Sequence, residues 1–187
     1  MQEFYSIWQF PNCIGATDGK HVEIKAPLNS SSHFFNYKKT FSVVLSSLVD
    51  ANYKFTIIDF GRHGKSGDGG LFTRSILRKS LEANTFNISN SKPPPNSEEH
   101  LSFVIVCDEE FPLKKYLLRP YSGFSARNNG SKQIYNYRLS KTRRVVENAF
   151  GILLQKFRLF YGRNPMSPEN ADKIVLTACV SVEDTVI

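Results

Sequence analysis

The chain has little that would tie it together covalently. Its three cysteines, Cys13, Cys107 and Cys179, are odd in number and lie far apart. That pattern excludes a disulfide framework, offers no zinc signature and points to a reducing compartment. No apolar run approaches the ~18 residues that a membrane span needs, so no membrane partner is expected. The segment Met1 to Pro11 is aromatic and polar, without the basic start and apolar stretch of a signal peptide. There is no internal repeat. The glycines at 61, 64, 67, 69 and 70 form a loop, but no Gly-Lys-Ser/Thr follows in P-loop order. Acidic residues are scarce where basic ones crowd. Phe111 to Arg163 holds twelve Lys or Arg and a single acid, Glu147.

What remains is a chain of 187 residues that is 41% hydrophobic and 22% charged. It suffices for one domain over 1–187 with its own core. The net charge of +7 concentrates in the segment just described. A surface of that kind is expected to meet the phosphates of DNA. Its ordinary reading is a solvated basic face on an unrelated domain.

The apolar pattern predicts an α/β chain. Cys13 to Lys25 alternates as a strand with Asp18 near its midpoint, and Phe41–Val49 and Tyr53–Phe60 continue an antiparallel meander around Asn52. Leu71 to Leu81 suits a short amphipathic helix. Asn84 to His100, with Pro93-Pro94-Pro95, reads as an exposed loop. Leu101 to Cys107 is a continuous apolar run, the pattern of a central strand buried on both faces, and it ends at Asp108. Pro112 and Pro120 bracket a short helix or turn, and Gly123–Gln133 reads as a loop. A long helix begins with Ser140 as its cap. Val146, Ala149, Phe150, Leu153, Phe157 and Phe160 form its stripe, and Asn164-Pro165 ends it. A last helix runs from Ser167-Pro168 through Ala178. This order is compatible with a mixed sheet, and with many α/β folds.

Three acids stand out by context. Asp18 lies inside a strand, Asp108 at the C-terminal end of a buried one, and Glu147 beside the apolar stripe of the long helix. Carboxylates converging from separate elements can hold hard cations, and all-oxygen ligands suit Mg²⁺ or Mn²⁺ rather than zinc. Each also has an ordinary reading: Asp18 a turn residue, Asp108 a helix cap, Glu147 an ion pair with Arg143 or Arg144 one turn away. Spacing alone does not decide. Asp59 reads as a turn residue or a supporting acid, and His21 as structural or as orienting a metal-bound water. Lys38, Lys39, Arg143 and Arg144 are the candidate DNA-backbone contacts.

The segments resemble, in order, those of the PIF/Harbinger transposases and the nucleases derived from them. Gly15-Ala16-Thr17-Asp18-Gly19-Lys20-His21-Val22 looks like the first-aspartate motif G-x-x-D-G-T-H-I/V. Phe35-Asn36-Tyr37-Lys38-Lys39 resembles Y-N-x-K-K, and Gly61, Gly64, Asp68, Phe72 and Ser75 resemble the loop PGS-x-x-D-x-x-x-x-x-S. Cys107-Asp108-Glu109-Glu110-Phe111-Pro112-Leu113 is similar to G-D-x-x-Y/F-P-L, with Leu118, Pro120 and Tyr121 following. Arg143-Arg144-Val145-Val146-Glu147-Asn148-Ala149-Phe150-Gly151 with Phe157-Arg158 is similar to the third-acid helix.

The resemblance covers about residues 10–160. It implies an RNase H-like mixed sheet flanked by helices and a DDE triad of Asp18, Asp108 and Glu147. It also implies Mg²⁺ or Mn²⁺ as cofactor, cleavage of DNA and a nuclear location. A separate Myb-like DNA-binding protein is a partner that it admits. The chain departs from the pattern at Lys20, His63, Gly67, Glu109 and Glu110, and its 84–100 loop exceeds the family norm. A domesticated, non-catalytic DNA-binding protein with a vestigial site is the rival expectation.

Overall fold

The computed structural model describes residues 2–27, 34–63, 70, 72–73, 75–83, 91–161 and 166–183. Three consecutive strands form an antiparallel meander: β1 (Cys13–Glu23), β2 (Ser42–Val49) and β3 (Phe55–His63). The β2–β3 turn is made by Asp50, whose carboxylate accepts from the backbone N–H of Asn52 and of Lys54, both at 2.9 Å. Tyr53 takes a positive φ of 66° there. Short side-chain-to-backbone bonds of this kind are how aspartate builds turns. β4 (Val104–Val106) adds to β1 in parallel, and β5 (Leu117–Leu118) adds to β4 in parallel. The sheet order is β3-β2-β1-β4-β5, so β1 is central and the sheet is mixed.

Helices cover both faces. On one lie α1 (Gln2–Trp8), the long α4 (Gly130–Lys156) and α5 (Pro168–Glu183). They contribute Phe4, Trp8, Val145, Val146, Ala149, Phe150, Val175 and Cys179 to a core shared with Ala16, Val22, Val43 and Leu45 of the sheet. On the other, α2 (Ile76–Glu82) brings Leu77 and Leu81 against Leu48, Phe72, Ile105, Cys107, Phe111 and Leu117. A strand sandwiched this way has no polar face, which is why β2 is buried along its whole length. Gly15 sits where β1 passes close to β2. A Cβ there would stand 2.6 Å from Leu48 Cδ1 and 3.1 Å from the Val49 carbonyl oxygen. This RNase H-like α/β arrangement agrees with the expected fold class.

Several boundaries differ from the sequence reading. Of the helix or turn expected between Pro112 and Pro120 the turn is present, at Lys115 and Tyr116, and Leu117 and Leu118 after it form the edge strand β5, held by backbone pairing to β4. Gly123–Gln133 is not a loop. It contains α3 (Gly123–Ala126) and the first turn of α4, capped by Asn129, whose side chain accepts from Lys132 N–H at 3.0 Å. Ser140 therefore lies inside α4 rather than at its start. The first third of α4 faces solvent and carries no apolar stripe, so periodicity could not reveal it. The helix ends at Lys156, before Phe157, and a 3₁₀ turn follows over Arg158–Tyr161. The central strand is shorter than the Leu101–Cys107 run, because Leu101 pairs with Lys92 instead. That bridge closes the end of the 84–100 loop, whose residues 84–90 lie outside the described residues, as do Gly64, Gly67, Asp68, Leu71 and Asn164-Pro165. Helix α1 was not foreseen.

Candidate active site

The register of the meander decides which acids share a side of the sheet. Asp18 on β1 stands opposite Ser47 on β2, which stands opposite Ile58 on β3. All three project to one face, and Ile58 joins the core on which α4 packs. Ser46 pairs with Asp59 one residue out of phase, so Asp59 projects to the opposite face. There its carboxylate accepts from the N–H of Ile76 at 3.1 Å, at the start of α2. Asp59 is thus buried within a strand rather than in a turn, on the face opposite Asp18.

The three acids singled out above come together around one side chain. Arg143, on α4, donates from Nη1 to Asp18 Oδ2 at 3.1 Å and lies 3.9 Å from Asp108 Oδ2 through the same nitrogen. Its Nη2 meets Glu147 Oε1 at 2.5 Å, one helical turn along. Residues from β1, from the loop after β4 and from α4 therefore converge on a guanidinium whose side chain is only 23% exposed. Burial pushes the Asp18 carboxyl above the usual range. The Gly19 N–H and Arg143 oppose that rise, while the negative charges of Asp108 and Glu147 add to it. Asp18 Oδ1 accepts from that same Gly19 N–H at 2.8 Å.

The loop carrying Asp108 is held from two sides. Asp108 Oδ1 accepts from Glu110 N–H at 3.1 Å, and Arg119 Nη1 donates to the carbonyls of Glu109 and Phe111 at 3.0 and 3.1 Å. The neighbouring Cys107 thiol is pushed up to about 12, chiefly by burial and then by the Asp108 charge. Glu109 and Glu110 are exposed.

Arg143, expected from sequence to contact phosphate, is instead engaged by carboxylates. Arg144 is exposed on the same helix, as are Lys38 and Lys39 in the turn ahead of β2. Asn36 builds that turn, its side-chain oxygen accepting from the N–H groups of Lys38 and Thr40. Lys20 shares the Asp18 side of β1. Burial lowers its pKa, Lys38 lowers it further, and Asp18 opposes both. His21 Nδ1 is 2.8 Å from Ser42 Oγ, and its ring meets Tyr37 edge-on at 5.7 Å. These are contacts of a structural histidine.

Comparison with known proteins now decides the family. The family model described as DDE superfamily endonuclease matches residues 17–181, a span that contains all three acids. The chain belongs to the DDE superfamily endonuclease family. Among curated proteins it is 26% identical to "Protein ALP1-like" of Arabidopsis thaliana, over 99% of this chain and 45% of that one. It is 26% identical to "Putative nuclease HARBI1" of Bos taurus and 25% identical to its Homo sapiens counterpart, over 95% of this chain and 47% of each. The chain thus spans just under half the length of these relatives. No solved structure gives a significant match.

A DDE endonuclease implies divalent metal, and the donor set can be tested for it. Three carboxylates and no soft ligand suit a hard cation. One buried hydroxyl beside Asp18, Ser47 Oγ, has no hydrogen-bond partner among the described residues. Sequence reasoning missed Ser47, although the Ser46-Ser47 pair inside the apolar FSVVLSSLV run is the signal that marks it. As placed, no three His, Cys, Asp or Glu side chains among the described residues stand close enough to hold one ion. The acids meet through Arg143 rather than through each other.

Proposed function

We propose that the chain is the catalytic core of a metal-dependent, transposase-derived DNA endonuclease, with Asp18, Asp108 and Glu147 as the carboxylates that hold Mg²⁺ or Mn²⁺. One observation carries this reading. Three acids far apart in sequence, on three separate elements, share one guanidinium inside a domain of the DDE endonuclease family. Bound divalent ions would supply Lewis-acid activation of water or a 3′-hydroxyl and charge stabilisation at the leaving oxygen. The chain's own part is to fix the oxygens. Asp18 is set by the central strand and the Gly19 N–H. Asp108 is set by the turn that Arg119 braces, and Glu147 by the buried stripe of α4. Exposed Lys38, Lys39 and Arg144 bind the phosphate backbone, offsetting the repulsion between DNA and the carboxylates. A nuclear location and a separate Myb-like DNA-binding partner belong to the same proposal.

The engagement of all three acids by Arg143 favours one rival, a domesticated DNA-binding protein with a vestigial site. A plasmid-cleavage assay separates them. The endonuclease converts supercoiled plasmid to nicked or linear form with Mg²⁺ or Mn²⁺ and not with EDTA. DNA binding without cleavage in any metal arm establishes the rival.

A further inference from the structure

The central residue of the cluster is not one of its acids. Arg143 pairs closely with two of them, Asp18 Oδ2 at 3.1 Å and Glu147 Oε1 at 2.5 Å, and stands 3.9 Å from Asp108 Oδ2, so its guanidinium fills the space between the three carboxylates. A hard cation binds carboxylate oxygens at about 2.0–2.6 Å. Two positive charges cannot share those oxygens at such distances without strong mutual repulsion. The pairing is also sheltered in the metal-free protein. The guanidinium is mostly screened from solvent, and its two terminal nitrogens reach two different carboxylates, a spread that lysine's single nitrogen does not have.

We propose that Arg143 is a resident counter-cation of the triad, which holds the three carboxylates together in the metal-free protein and competes directly with divalent metal for them. The inference rests on the reading of these acids as metal ligands. Arg143 keeps the cluster assembled when no ion is present, because three carboxylates crowded without a cation repel one another. It also stands between them, and among the described residues no three acids as placed form a cage. Loading metal then requires two coupled events: Arg143 leaves, and the carboxylates close. The competition sets a threshold in metal concentration below which the site stays shut.

The test is Mn²⁺ binding by titration calorimetry on the parent, Arg143→Gln and Arg143→Lys proteins, with no activity readout required. Arg143→Gln removes the competitor and should tighten Mn²⁺ binding at least about tenfold. Arg143→Lys, a point charge without the fork, should fall between the two. Circular dichroism in EDTA checks the fold of each variant. If Arg143→Gln does not fold, the parent alone answers. The ¹⁵N resonances of the Arg143 side chain should shift on adding Mg²⁺ as the guanidinium leaves its carboxylates. Equal Mn²⁺ affinity in all three proteins, or a guanidinium signal unmoved by saturating Mg²⁺, overturns the proposal while leaving the metal reading standing. Binding by Arg143→Gln but not by the parent supports it in its strongest form. Failure of all folded proteins to bind Mn²⁺ overturns both the proposal and the metal reading.

Discussion

Replacing Asp108 with asparagine separates what the triad does for chemistry from what it does for the fold. The substitution keeps size and hydrogen bonding, including the bond that Oδ1 accepts from Glu110 N–H. It removes one of three negative charges around Arg143. The pair that it weakens is long, 3.9 Å, and the Asp108 side chain is 34% exposed. Exposed pairs contribute about 0.2–1 kcal/mol. Against that loss stands relief of the repulsion that Asp108 exerts on Asp18. The melting temperature in EDTA should therefore stay within about 3 °C of the parent's, at roughly 2–4 °C per kcal/mol for a chain of this size, and should tend upward. Metal changes the comparison. Mn²⁺ at ~100 times its dissociation constant stabilises the parent by about 2.7 kcal/mol, which corresponds to a rise of roughly 5–10 °C. Asp108→Asn should lose most of that rise. Its plasmid cleavage should fall at least about a thousandfold, because several kcal/mol of charge stabilisation go with the lost ligand. Melting curves with EDTA and Mn²⁺ arms, beside gel-based cleavage, read both. An Asp108→Asn protein that cleaves as fast as the parent, or keeps the full Mn²⁺ shift, refutes the assignment of Asp108.

Arg144→Ala and Lys38→Ala should each weaken DNA binding and reduce the salt slope by about one. Arg143→Ala in EDTA should leave the salt slope unchanged, since that guanidinium faces carboxylates rather than phosphate; fluorescence anisotropy across a salt series tests the difference. His21 has a pKa lowered first by burial and then by Lys38 and Lys20. The unfolded chain therefore binds its proton more readily than the folded one, so His21's contribution is present above the unfolded pKa and is lost as pH falls through the folded value. His21→Gln should flatten the acid side of the stability–pH profile, as urea melts would show. Gly151 lies in α4 with open space around its Cβ position. Gly151→Ala should stabilise by about 0.5–1 kcal/mol through helix propensity alone, read as a melting shift of a few degrees.

The strands of the meander were legible because each carries its own signal. β1 alternates, β2 is a β-rich run broken only by serines, and the turn after β2 announces itself in Asp50-Ala51-Asn52. The elements that escaped have no local signal to give. β5 is two residues long and exists because β4 offers it unpaired backbone groups. The start of α4 is mostly exposed, carries no regular apolar stripe and is capped by Asn129. In its first ten residues only Leu139 is buried. Helix α1 is held by Phe4 and Trp8 reaching the core and by Trp8 Nε1 donating to the Ala51 carbonyl at 3.2 Å. Nothing in a seven-residue aromatic stretch foretells that long-range bond.

The site divides along the same line. Its acids were picked out by context and by the order of motifs, and the ion pair between Arg143 and Glu147 follows from their four-residue spacing on a helix. The link from Arg143 to Asp18 spans 125 residues and exists only once α4 lies on β1. Ser47 shows why such features escape a reading based on hydrophobicity. In a strand buried at every position, a hydroxyl with no partner among the described residues costs more than the alanine or valine that would fit the core there. Ser46, on the other face, sits opposite the buried Asp59 carboxylate. Ser47 sits opposite Asp18. Both serines thus interrupt the apolar run where the neighbouring strand carries an acid. Unfavourable burial of this kind is expected beside a functional group and has no use in a passive core. The polar break in β2 is therefore the part of the site that the sequence displays and that the motifs do not name.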